Sequence, residues 1–457
     1  MADLRITGLA VDVVRWPLKM KRRHGVGDID ESMPGAIVKI STDAGIVGWG
    51  EAAPWSVFTG TAEANATGIH HYLRPLLIGA DPLKVATIMR ALEKALVGHT
   101  EGKAAIEMAL LDIAGKRLGA PVAQLLGGFY RSEVPLSISI ANPDFDADLA
   151  FAKERAREGV NIFKVKTGFA SHAEDLRRLE RLRGELPAGV DLRVDYNQGL
   201  DPWNAIGLIK DVEAFRPTFV EQPVKRDQRA AMAAITRAID TPIMADESVF
   251  NPAEAVEMVR GEIADLVSIK IMKSGGIFRA REVAAIAEAA GITAYGGTMF
   301  EGGLAIAAGL HMVAATPNIA LGAEFYTSTF VMGVDVLATP IRIEKGLTQV
   351  PTGPGLGVEI ERRPRSRGSA PIRPSTASVR PRWCASRRSR ASRPTSTRTS
   401  RPANGPGWRC RWPPISPRRS TPRSSTPSPP TATRCSTCRA ARSISPSRST
   451  RRRSARW

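Results

Sequence analysis

The sequence predicts an α/β protein in which a separate α+β domain precedes a parallel (β/α) barrel. From about residue 135 onward, short apolar runs alternate with segments of helical periodicity, as in a parallel sheet whose strands are joined by helices. Lysines and carboxylates stand at the ends of successive runs, and from Lys166 onward they are 29, 26, 25 and 24 residues apart. Each interval is about the length of one strand, one loop and one crossover helix.

The first 130 residues have the pattern of an α+β domain. Alternating strands are predicted at residues 6–14 and 36–42, and the clearest helix at residues 103–118, where it stops before Gly119 and Pro121. Two polar, glycine-bearing segments at residues 19–28 and 54–61 interrupt the early strands. Such segments are surface connections by default, and they can also serve as lids or specificity elements.

Eight apolar runs of strand length follow, and we assign them to a catalytic domain at residues 131–340. They lie at residues 136–141, 163–167, 192–197, 219–222, 243–245, 266–271, 293–298 and 319–323. An open doubly wound sheet is the competing arrangement. It is disfavoured because chemistry recurs at nearly every strand end, whereas an open sheet concentrates it at a switch point. Residues 341–361 are expected to return to the first domain.

Residues 362–457 differ in composition from all that precedes them. They contain 26 arginines and no Asp, Glu or Lys, so the net charge of +19 conceals a net charge of about −7 for residues 1–361. A segment so poor in aliphatic residues is predicted to be disordered. We interpret it as the product of a reading-frame slip in a GC-rich gene. The alternative is an arginine-rich segment that binds nucleic acid or anionic lipid.

The cysteines and the N-terminus favour a cytoplasmic enzyme. All four cysteines lie in the arginine-rich tail, where the CxxC spacing of Cys435 and Cys438 lacks a second ligand pair and is interpreted as chance. Residues 1–361 therefore need no disulfide. The N-terminus lacks the basic and apolar regions of a signal peptide, and no apolar run approaches the length of a membrane span.

Three lysines are candidate acid/base residues. Alternate residues of a strand share a face, so Lys164 and Lys166 should both point into the mouth of the barrel. Two neighbouring ammonium groups, together with burial, are expected to favour a neutral lysine base near neutral pH. Lys270 has the inward parity of Ser268 and is predicted to be the second base, whereas Lys273 is placed in the following loop.

Three carboxylates are candidate metal ligands. Asp195, Glu221 and Asp246 end three successive strands, and converging carboxylates repel one another unless a hard divalent cation lies among them. Ligation by oxygen alone favours Mg²⁺ or Mn²⁺ over zinc. The alternative is that each carboxylate caps the helix that follows it. Asn197 and Glu247 are neighbouring candidates for supporting the ligands.

In this combination the residues resemble the enolase superfamily, muconate-lactonizing-enzyme subgroup. The pattern of Lys-x-Lys, Asp, Glu, Asp and Lys on successive strands is matched, as are the segment 109–128 and the late Gly355-Leu-Gly357. The resemblance implies a capping domain on a modified (β/α)7β TIM-like barrel, with Lys166 and Lys270 as acid/base residues and Lys164 supporting Lys166. It also implies Mg²⁺ or Mn²⁺ on the three carboxylates, two specificity loops at residues 19–28 and 54–61, and a homo-oligomer.

The resemblance implies that the reaction passes through a metal-stabilised enediolate of a small carboxylate substrate. It specifies this half-reaction better than it specifies the overall reaction. Glu301 and Glu324 stand where muconate cycloisomerases have matching residues, and residues 321–332 lack the Asp-x-Asp of dipeptide epimerases. A basic first loop suits a dianion such as cis,cis-muconate; its charged residues are Lys19, Lys21, Arg22, Arg23 and His24. The competing interpretation is a solvated loop.

The predicted function is therefore that of a muconate cycloisomerase. The alternatives are a dipeptide or N-acylamino-acid racemase or epimerase, a carboxylate dehydratase and, outside enzymes, nucleic-acid binding through the tail, which ranks low. His311, in an apolar helix, is expected to be a packed residue and not a ligand.

Overall fold

The computed structural model describes residues 4–361. The predictions for the arginine-rich tail, including its disorder, its origin in a reading-frame slip and the chance CxxC spacing, lie outside the described residues. Within residues 4–361, no helix is both long enough and apolar enough to cross a membrane.

The strands belong to a capping sheet, a barrel and two small ribbons. They are β1 (Ile6–Pro17), β2 (Arg22–His24), β3 (Gly27–Ile29), β4 (Ser32–Thr42), β5 (Val47–Ala52), β6 (Glu133–Pro135), β7 (Ser137–Ile140), β8 (Ile162–Lys166), β9 (Asp191–Asp195), β10 (Val220–Glu221), β11 (Ile243–Ala245), β12 (Leu266–Ile269), β13 (Thr293–Gly296), β14 (Ile319–Ala323), β15 (Ile343–Glu344) and β16 (Leu347–Gln349).

The helices fall into a capping group and a barrel group. They are α1 (Ala62–Gly68), α2 (Arg74–Leu77), α3 (Val85–Ala95), α4 (Thr100–Leu118), α5 (Val122–Leu125), α6 (Phe145–Arg157), α7 (His172–Glu185), α8 (Ala205–Glu213), α9 (Arg229–Ala238), α10 (Pro252–Arg260), α11 (Ile271–Ser274), α12 (Ile277–Ala289) and α13 (Gly303–Ala314), with π-helical turns at Ile69–Leu73 and Thr327–Val331.

The capping region is an antiparallel sheet packed against one long helix. Its strand order is β1-β4-β5, and α4 lies between β5 on one side and the barrel helices α11, α12 and α13 on the other. Every residue of α4 from Glu101 to Gly115 is buried, which explains why its sequence is apolar or small on nearly all faces. The helix ends where Gly119 adopts a left-handed conformation.

The barrel has eight parallel strands, β7 to β14 in chain order, and one helical crossover between each pair. A parallel bridge between Leu136 and Ala323 joins the last strand to the start of the first. Seven helical crossovers and an eighth strand make a (β/α)7β barrel, so the predicted fold class is confirmed. The strand bounds agree with the predicted runs to within about two residues, the usual uncertainty at strand ends.

Two local predictions are wrong. Residues 19–28 are not a simple loop, because β2 and β3 pair as a hairpin within them. Lys273 does not lie in a loop, because Ile271, Met272 and Ser274 are buried with it in a short helical turn that Gly275 ends. A four-residue helix leaves no periodic signal in a sequence, which explains the second error.

The last described segment returns to the capping region. Strand β16 pairs with β15 on one side and with β6 on the other. Farther along the chain, Gly355 accepts a hydrogen bond from Val122 N and donates one to Ala120 O. His311 in α13 is fully buried and joins the capping region to this last segment. Its Nδ1 accepts a hydrogen bond from Ala123 N at 3.2 Å, and its Nε2 donates one to Leu356 O at 3.1 Å. Burial lowers the pKa of His311 to about 4. The domain limits at residues 130 and 340 stay predictions.

We expect His311→Leu to lower the free energy of unfolding at pH 7.5 by about 1–3 kcal/mol, because two buried backbone groups lose their partner. The neutral ring stabilises the fold above its unfolded pKa near 6.5, and this contribution is lost as pH falls toward about 4. The difference in Tm between the variant and the normal chain should therefore narrow from pH 7.5 to pH 4.5. A gap independent of pH would contradict this assignment, and His70→Gln, at an exposed position in the π-helical turn Ile69–Leu73, is the control.

Candidate active site

The carboxyl ends of five neighbouring strands, β8 to β12, bring the predicted lysines and carboxylates together. The residues of this cluster are at most 8 % exposed, and they are Lys164, Lys166, Asp195, Glu221, Asp246, Lys270 and Lys273. Parallel pairing sets their positions, since Lys166 is the register partner of Asp195 and Asp195 that of Glu221. Residues more than 20 positions apart in the chain thus become neighbours.

Lys164 lies at the centre of the carboxylates. Its Nζ is 2.6 Å from Glu221 Oε2, 2.8 Å from Glu324 Oε2 and 3.2 Å from Asp195 Oδ2. Burial alone would lower the pKa of Lys164, but the charges of Glu221 and Glu324 raise it well above its usual value. The ammonium group therefore neutralises carboxylates that would otherwise repel one another.

Lys166 and its neighbours form a second group. Lys166 Nζ donates to Asp195 Oδ2 at 2.5 Å and to Asn197 Oδ1 at 3.0 Å. Asn197 in turn donates from its side chain to Glu247 Oε1 at 3.3 Å and from its backbone to Asp195 Oδ1 at 2.8 Å. Asn197 and Glu247 thus lie where they can orient Lys166 and Asp195, as their predicted supporting role requires.

Lys270 and Lys273 hold Asp246 from two sides. Lys270 Nζ is 2.6 Å from Asp246 Oδ2, while Lys273 Nζ is 2.9 Å from Asp246 Oδ1 and 2.7 Å from the backbone oxygen of the same residue. Lys273 is 1 % exposed, so sequence reasoning missed a buried cation of the site. Residues three positions apart lie on the same side of a helical turn, but the turn that places Lys273 beside Lys270 is evident only in the structure.

The expectation of lysines with lowered pKa values is wrong for two of the three candidates. Burial alone would lower the pKa of Lys270, but Asp246 and Glu221 raise it above its usual value, as carboxylates also do for Lys164. In Asp246 burial is outweighed by Lys270 and Lys273, which lower the pKa of the carboxyl. Burial and Asp195 raise the pKa of Glu221 to about 8. Neighbouring ammonium groups thus matter less than the carboxylates that face them.

A small cavity of about 30 Å³ lies between the barrel mouth and the capping region. Lys166 and Lys270 line it from opposite sides of the barrel, and Ser139 and Glu324 line its floor. Segment 54–61 contributes Trp55 and Phe58, and segment 19–28 contributes Arg22 and His24, so both predicted specificity loops border the cavity. Its volume is close to that of one water molecule in the liquid.

The basic first segment sends only part of its charge inward. Strand alternation buries Arg22 and His24, whereas Arg23 points outward to Asp28 at 3.2 Å. Lys19 and Lys21 also face outward, toward Thr329 O and Asp30. The idea of a wholly solvated charge run is therefore wrong, and so is the idea that the full charge faces a substrate.

Arg22 is the buried cation that the first segment supplies. Its Nη2 donates to Ser139 O at 2.9 Å and to Tyr326 Oη at 3.0 Å, while its Nε is buried without a hydrogen-bond partner. Ser139 Oγ donates to Glu324, which it thereby orients toward Lys164. Sequence reasoning missed Ser139 and Tyr326, although Ser139 is the residue beside Lys164 in the parallel pairing of β7 and β8.

His24 and Glu301 have different surroundings from those of the lysines. The His24 ring lies 4.9 Å from the Trp55 ring and 5.6 Å from the Phe300 ring, and burial, with help from the charges of Lys166 and Arg22, lowers its pKa well below the usual value. Glu301 accepts from Met299 N at 2.6 Å and has a pKa of about 8 because it is buried. It does not border the cavity, whereas Glu324 does.

The carboxylate set is compatible in its chemistry with a hard divalent cation. As arranged among residues 4–361, no three His, Cys, Asp or Glu side chains form a group that could hold a metal ion. Lys164 Nζ lies within 3.2 Å of both Asp195 and Glu221. Glu221 Oε1 nevertheless stays buried without a hydrogen-bond partner, and the three candidate ligands offer oxygen atoms alone.

Comparisons with known proteins agree with this geometry. Residues 9–127 match the mandelate racemase/muconate lactonizing enzyme N-terminal domain, and residues 147–364 match the enolase C-terminal domain-like family. The chain is 37% identical over 70% of its length to an L-Ala-D/L-Glu epimerase of Bacillus subtilis, of which it covers 88%. It is 35% identical over 78% of its length to a chloromuconate cycloisomerase of Cupriavidus pinatubonensis, of which it covers 97%.

Solved structures show the same two kinds of enzyme. A muconate cycloisomerase from Azorhizobium caulinodans is 47% identical, with a TM-score of 0.70 over 79% of this chain and 97% of that one. An N-succinyl Arg/Lys racemase from Bacillus cereus is 32% identical, with a TM-score of 0.74 over 78% of this chain and 96% of that one. The matched relatives are thus cycloisomerases, racemases and epimerases. The chain therefore belongs to the mandelate racemase/muconate lactonizing enzyme family of the enolase superfamily.

Proposed function

We propose that the protein is a metal-dependent cycloisomerase that acts on a small dicarboxylate of the cis,cis-muconate type. The observation that carries this proposal is the placement of two lysines, Lys166 and Lys270, on opposite sides of one cavity. Each is held by a carboxylate of the candidate metal set, at 2.5 Å for Asp195 and 2.6 Å for Asp246. A planar enediolate between them could exchange a proton with either Nζ.

Asp195, Glu221 and Asp246 are the residues that would hold Mg²⁺ or Mn²⁺. The three carboxylates end adjacent strands, and the unpartnered Glu221 Oε1 leaves one buried donor free for a ligand. When bound, the cation would supply positive charge to a substrate carboxylate and so stabilise the charge of an enediolate. Asn197 and Glu247 would keep Asp195 and Lys166 in place.

The lysines would carry the proton. In lactone formation one substrate carboxylate oxygen adds to a carbon–carbon double bond, and the π electron pair shifts to form the enediolate of the other carboxylate. A lysine ammonium group then donates a proton to the α-carbon and is reprotonated from solvent. Lys166 or Lys270 serves as donor according to the face that the bound substrate presents. Lys164 lies between Glu221 and Glu324 and would orient these charges without reaching the cavity itself.

The cavity favours an anionic substrate. Arg22, Lys166 and Lys270 border it, and Arg22 keeps one buried donor unpaired. A volume of about 30 Å³ is too small for a six-carbon dicarboxylate, so the segments with Trp55 and Phe58 would have to move to admit it.

A racemase or epimerase of an amino-acid derivative is the second candidate. It is favoured by relatives of both kinds at similar identity, 37% for an epimerase and 35% for a cycloisomerase. Both reactions use the same two lysines, because both pass through an enediolate. The lining of the cavity would decide between them.

We expect consumption of cis,cis-muconate, followed by its ultraviolet absorbance, in the presence of Mn²⁺ or Mg²⁺. At least one of Lys166→Ala and Lys270→Ala should lower kcat at least about 100-fold, because one of the two Nζ groups donates the proton. Lys210→Ala, at an exposed position on α8, is the matched control and should keep the normal rate. Normal turnover in both single variants, Lys166→Ala and Lys270→Ala, would contradict the proposed roles of the lysines.

A folded normal chain that leaves muconate unchanged would instead direct attention to the second candidate. Deuterium incorporation at the α-carbon of N-acylamino acids and dipeptides in D₂O would then identify a racemase or epimerase. Loss of this exchange in both lysine variants would retain the site and change only the substrate.

Removal of one ligand should weaken metal binding. We expect Glu221→Gln to lower the affinity for Mn²⁺ at least about tenfold, because a neutral amide replaces a charged oxygen ligand. Paramagnetic resonance of free Mn²⁺ measures this affinity without substrate. Asp211→Asn, a surface carboxylate on α8, is the control, and equal affinity in Glu221→Gln and Asp211→Asn would exclude Glu221 as a ligand.

A further inference from the structure

Two barrel helices beside the active site begin without a local capping side chain. Helix α12 follows Gly276 and helix α13 follows Gly302, and neither glycine has a side chain that could accept a hydrogen bond from the first turn. The first backbone N–H groups of a helix need such acceptors when they are buried. In both helices a glutamate of the capping region accepts hydrogen bonds from the first turn.

Glu107 of α4 supplies the acceptor for α12. It is 1 % exposed, and its Oε2 accepts hydrogen bonds from Ile277 N and, at 3.3 Å, from Phe278 N. Both bonds go to the same oxygen. Glu107 also borders an open cavity of about 570 Å³ between α3 and α12, which leaves free space beside its carboxyl group.

Glu51 of β5 supplies the acceptors for α13. It is fully buried, and each of its two oxygens accepts one hydrogen bond. Oε1 accepts from Gly302 N at 2.6 Å, and Oε2 accepts from Ala305 N at 3.2 Å. Asp335 is the other acidic group at this helix start, where it accepts from Gly303 N at 3.1 Å.

The glycines at the two helix starts leave room for the glutamates. A Cβ atom on Gly276 would lie 2.5 Å from Glu107 Oε2, and one on Gly302 would lie 2.9 Å from Glu51 Oε1. Gly276 also has a φ of +140°, which side chains disfavour. A local cap residue and a glutamate from the capping region therefore exclude each other at these positions.

Both helix starts adjoin the site. The chain runs from Lys270 through Lys273 in α11 to Gly276, so the start of α12 fixes the end of the segment that carries these two lysines. The chain also runs from β13 through Thr298, Met299 and Phe300, which line the cavity, to the start of α13. The two glutamates thus anchor the two barrel segments that lie closest to the capping region.

Burial opposes the charge of both glutamates and raises the pKa of each to about 8. The N–H groups of the helix starts and the positive ends of the helix dipoles act in the opposite direction. These contacts offset the free-energy cost of burying the two carboxyl groups. They exist only while the capping region is packed against the barrel.

We propose that Glu51 and Glu107 are positioning residues that couple the seating of the capping region to the alignment of the active site. Glu107 holds the segment with Lys270 and Lys273, and Glu51 holds the cavity-lining segment with Met299 and Phe300. Neither glutamate borders the active-site cavity. The inference rests on the proposed function only for its effect on turnover, since the anchoring itself is independent of the substrate.

Backbone amide hydrogen exchange of the full chain, read by mass spectrometry, tests the anchoring. Glu51→Gln should speed exchange in residues 302–306 at least about tenfold, because one amide oxygen cannot replace two accepting oxygens. Glu107→Ala should have the same effect on residues 277–280. Glu107→Gln should restore protection there, since one oxygen suffices for both bonds and the NH₂ group can face the adjoining cavity.

The matched control is Glu288→Gln, at an exposed glutamate near the end of α12 and away from both helix starts. It should leave exchange and Tm unchanged. Faster exchange spread over all peptides of Glu51→Gln and Glu107→Ala would show a general loss of stability and overturn the proposal. Unchanged exchange at the two helix starts would also overturn it.

Turnover of whichever carboxylate the protein accepts separates the two roles. Glu107→Ala should lower kcat more than it changes KM, because it releases the lysine-bearing segment, and Glu51→Gln should raise KM, because it releases part of the cavity wall. A normal kcat and KM in variants with local fast exchange would refute the coupling to the site. If no substrate is found, the proposed function fails and the exchange result still decides the anchoring.

Discussion

Charge compensation at the mouth of the barrel is the constraint on which the rest of the site depends. Three carboxylates and four lysines are buried together at the ends of β8 to β12 and in the turn that follows. A buried charge without a partner would destabilise the fold by several kcal/mol. Lys164 lies among Asp195, Glu221 and Glu324, while Lys270 and Lys273 share Asp246. The parallel register brings these groups together from distant parts of the chain. The arrangement explains how the lysines can be buried and why the carboxylates raise the pKa values of Lys164 and Lys270.

The capping region is a structural part of the site, and it is more than a cover. It closes the cavity with side chains from two segments, and its glutamates cap the helix starts that the barrel leaves open. Helix α4 lies between the capping sheet and the barrel helices and carries Glu107 within this interface. Because the contacts are hydrogen bonds of buried groups, a shift of the capping region would expose unsatisfied N–H groups at α12 and α13. Geometry at the lysines and closure of the cavity are therefore linked physically.

The shared half-reaction explains why relatives with different activities are similarly close. Under the proposed function, lysines on two faces and carboxylates for a cation would serve proton removal, proton return and lactone formation alike. In the cavity wall Arg22 contributes a buried cation, and His24 contributes a ring of lowered pKa near Trp55 and Phe300. Arg22, His24 and Trp55 belong to the capping region, whereas Phe300 belongs to the barrel.

The sequence by itself determined the barrel, its eight strands and the inward positions of Lys164, Lys166 and Lys270, because strand parity and the spacing of strand ends are local properties. It also determined the oxygen-only character of the carboxylate set. Only the tertiary structure decided that Lys273 joins the site and that carboxylates raise the pKa of Lys164. It alone revealed Glu51 and Glu107 as helix caps, since their partners are 251 and 170 residues away in the chain. Hydrogen bonds and charge interactions act through space, so no pattern along the chain could specify these contacts.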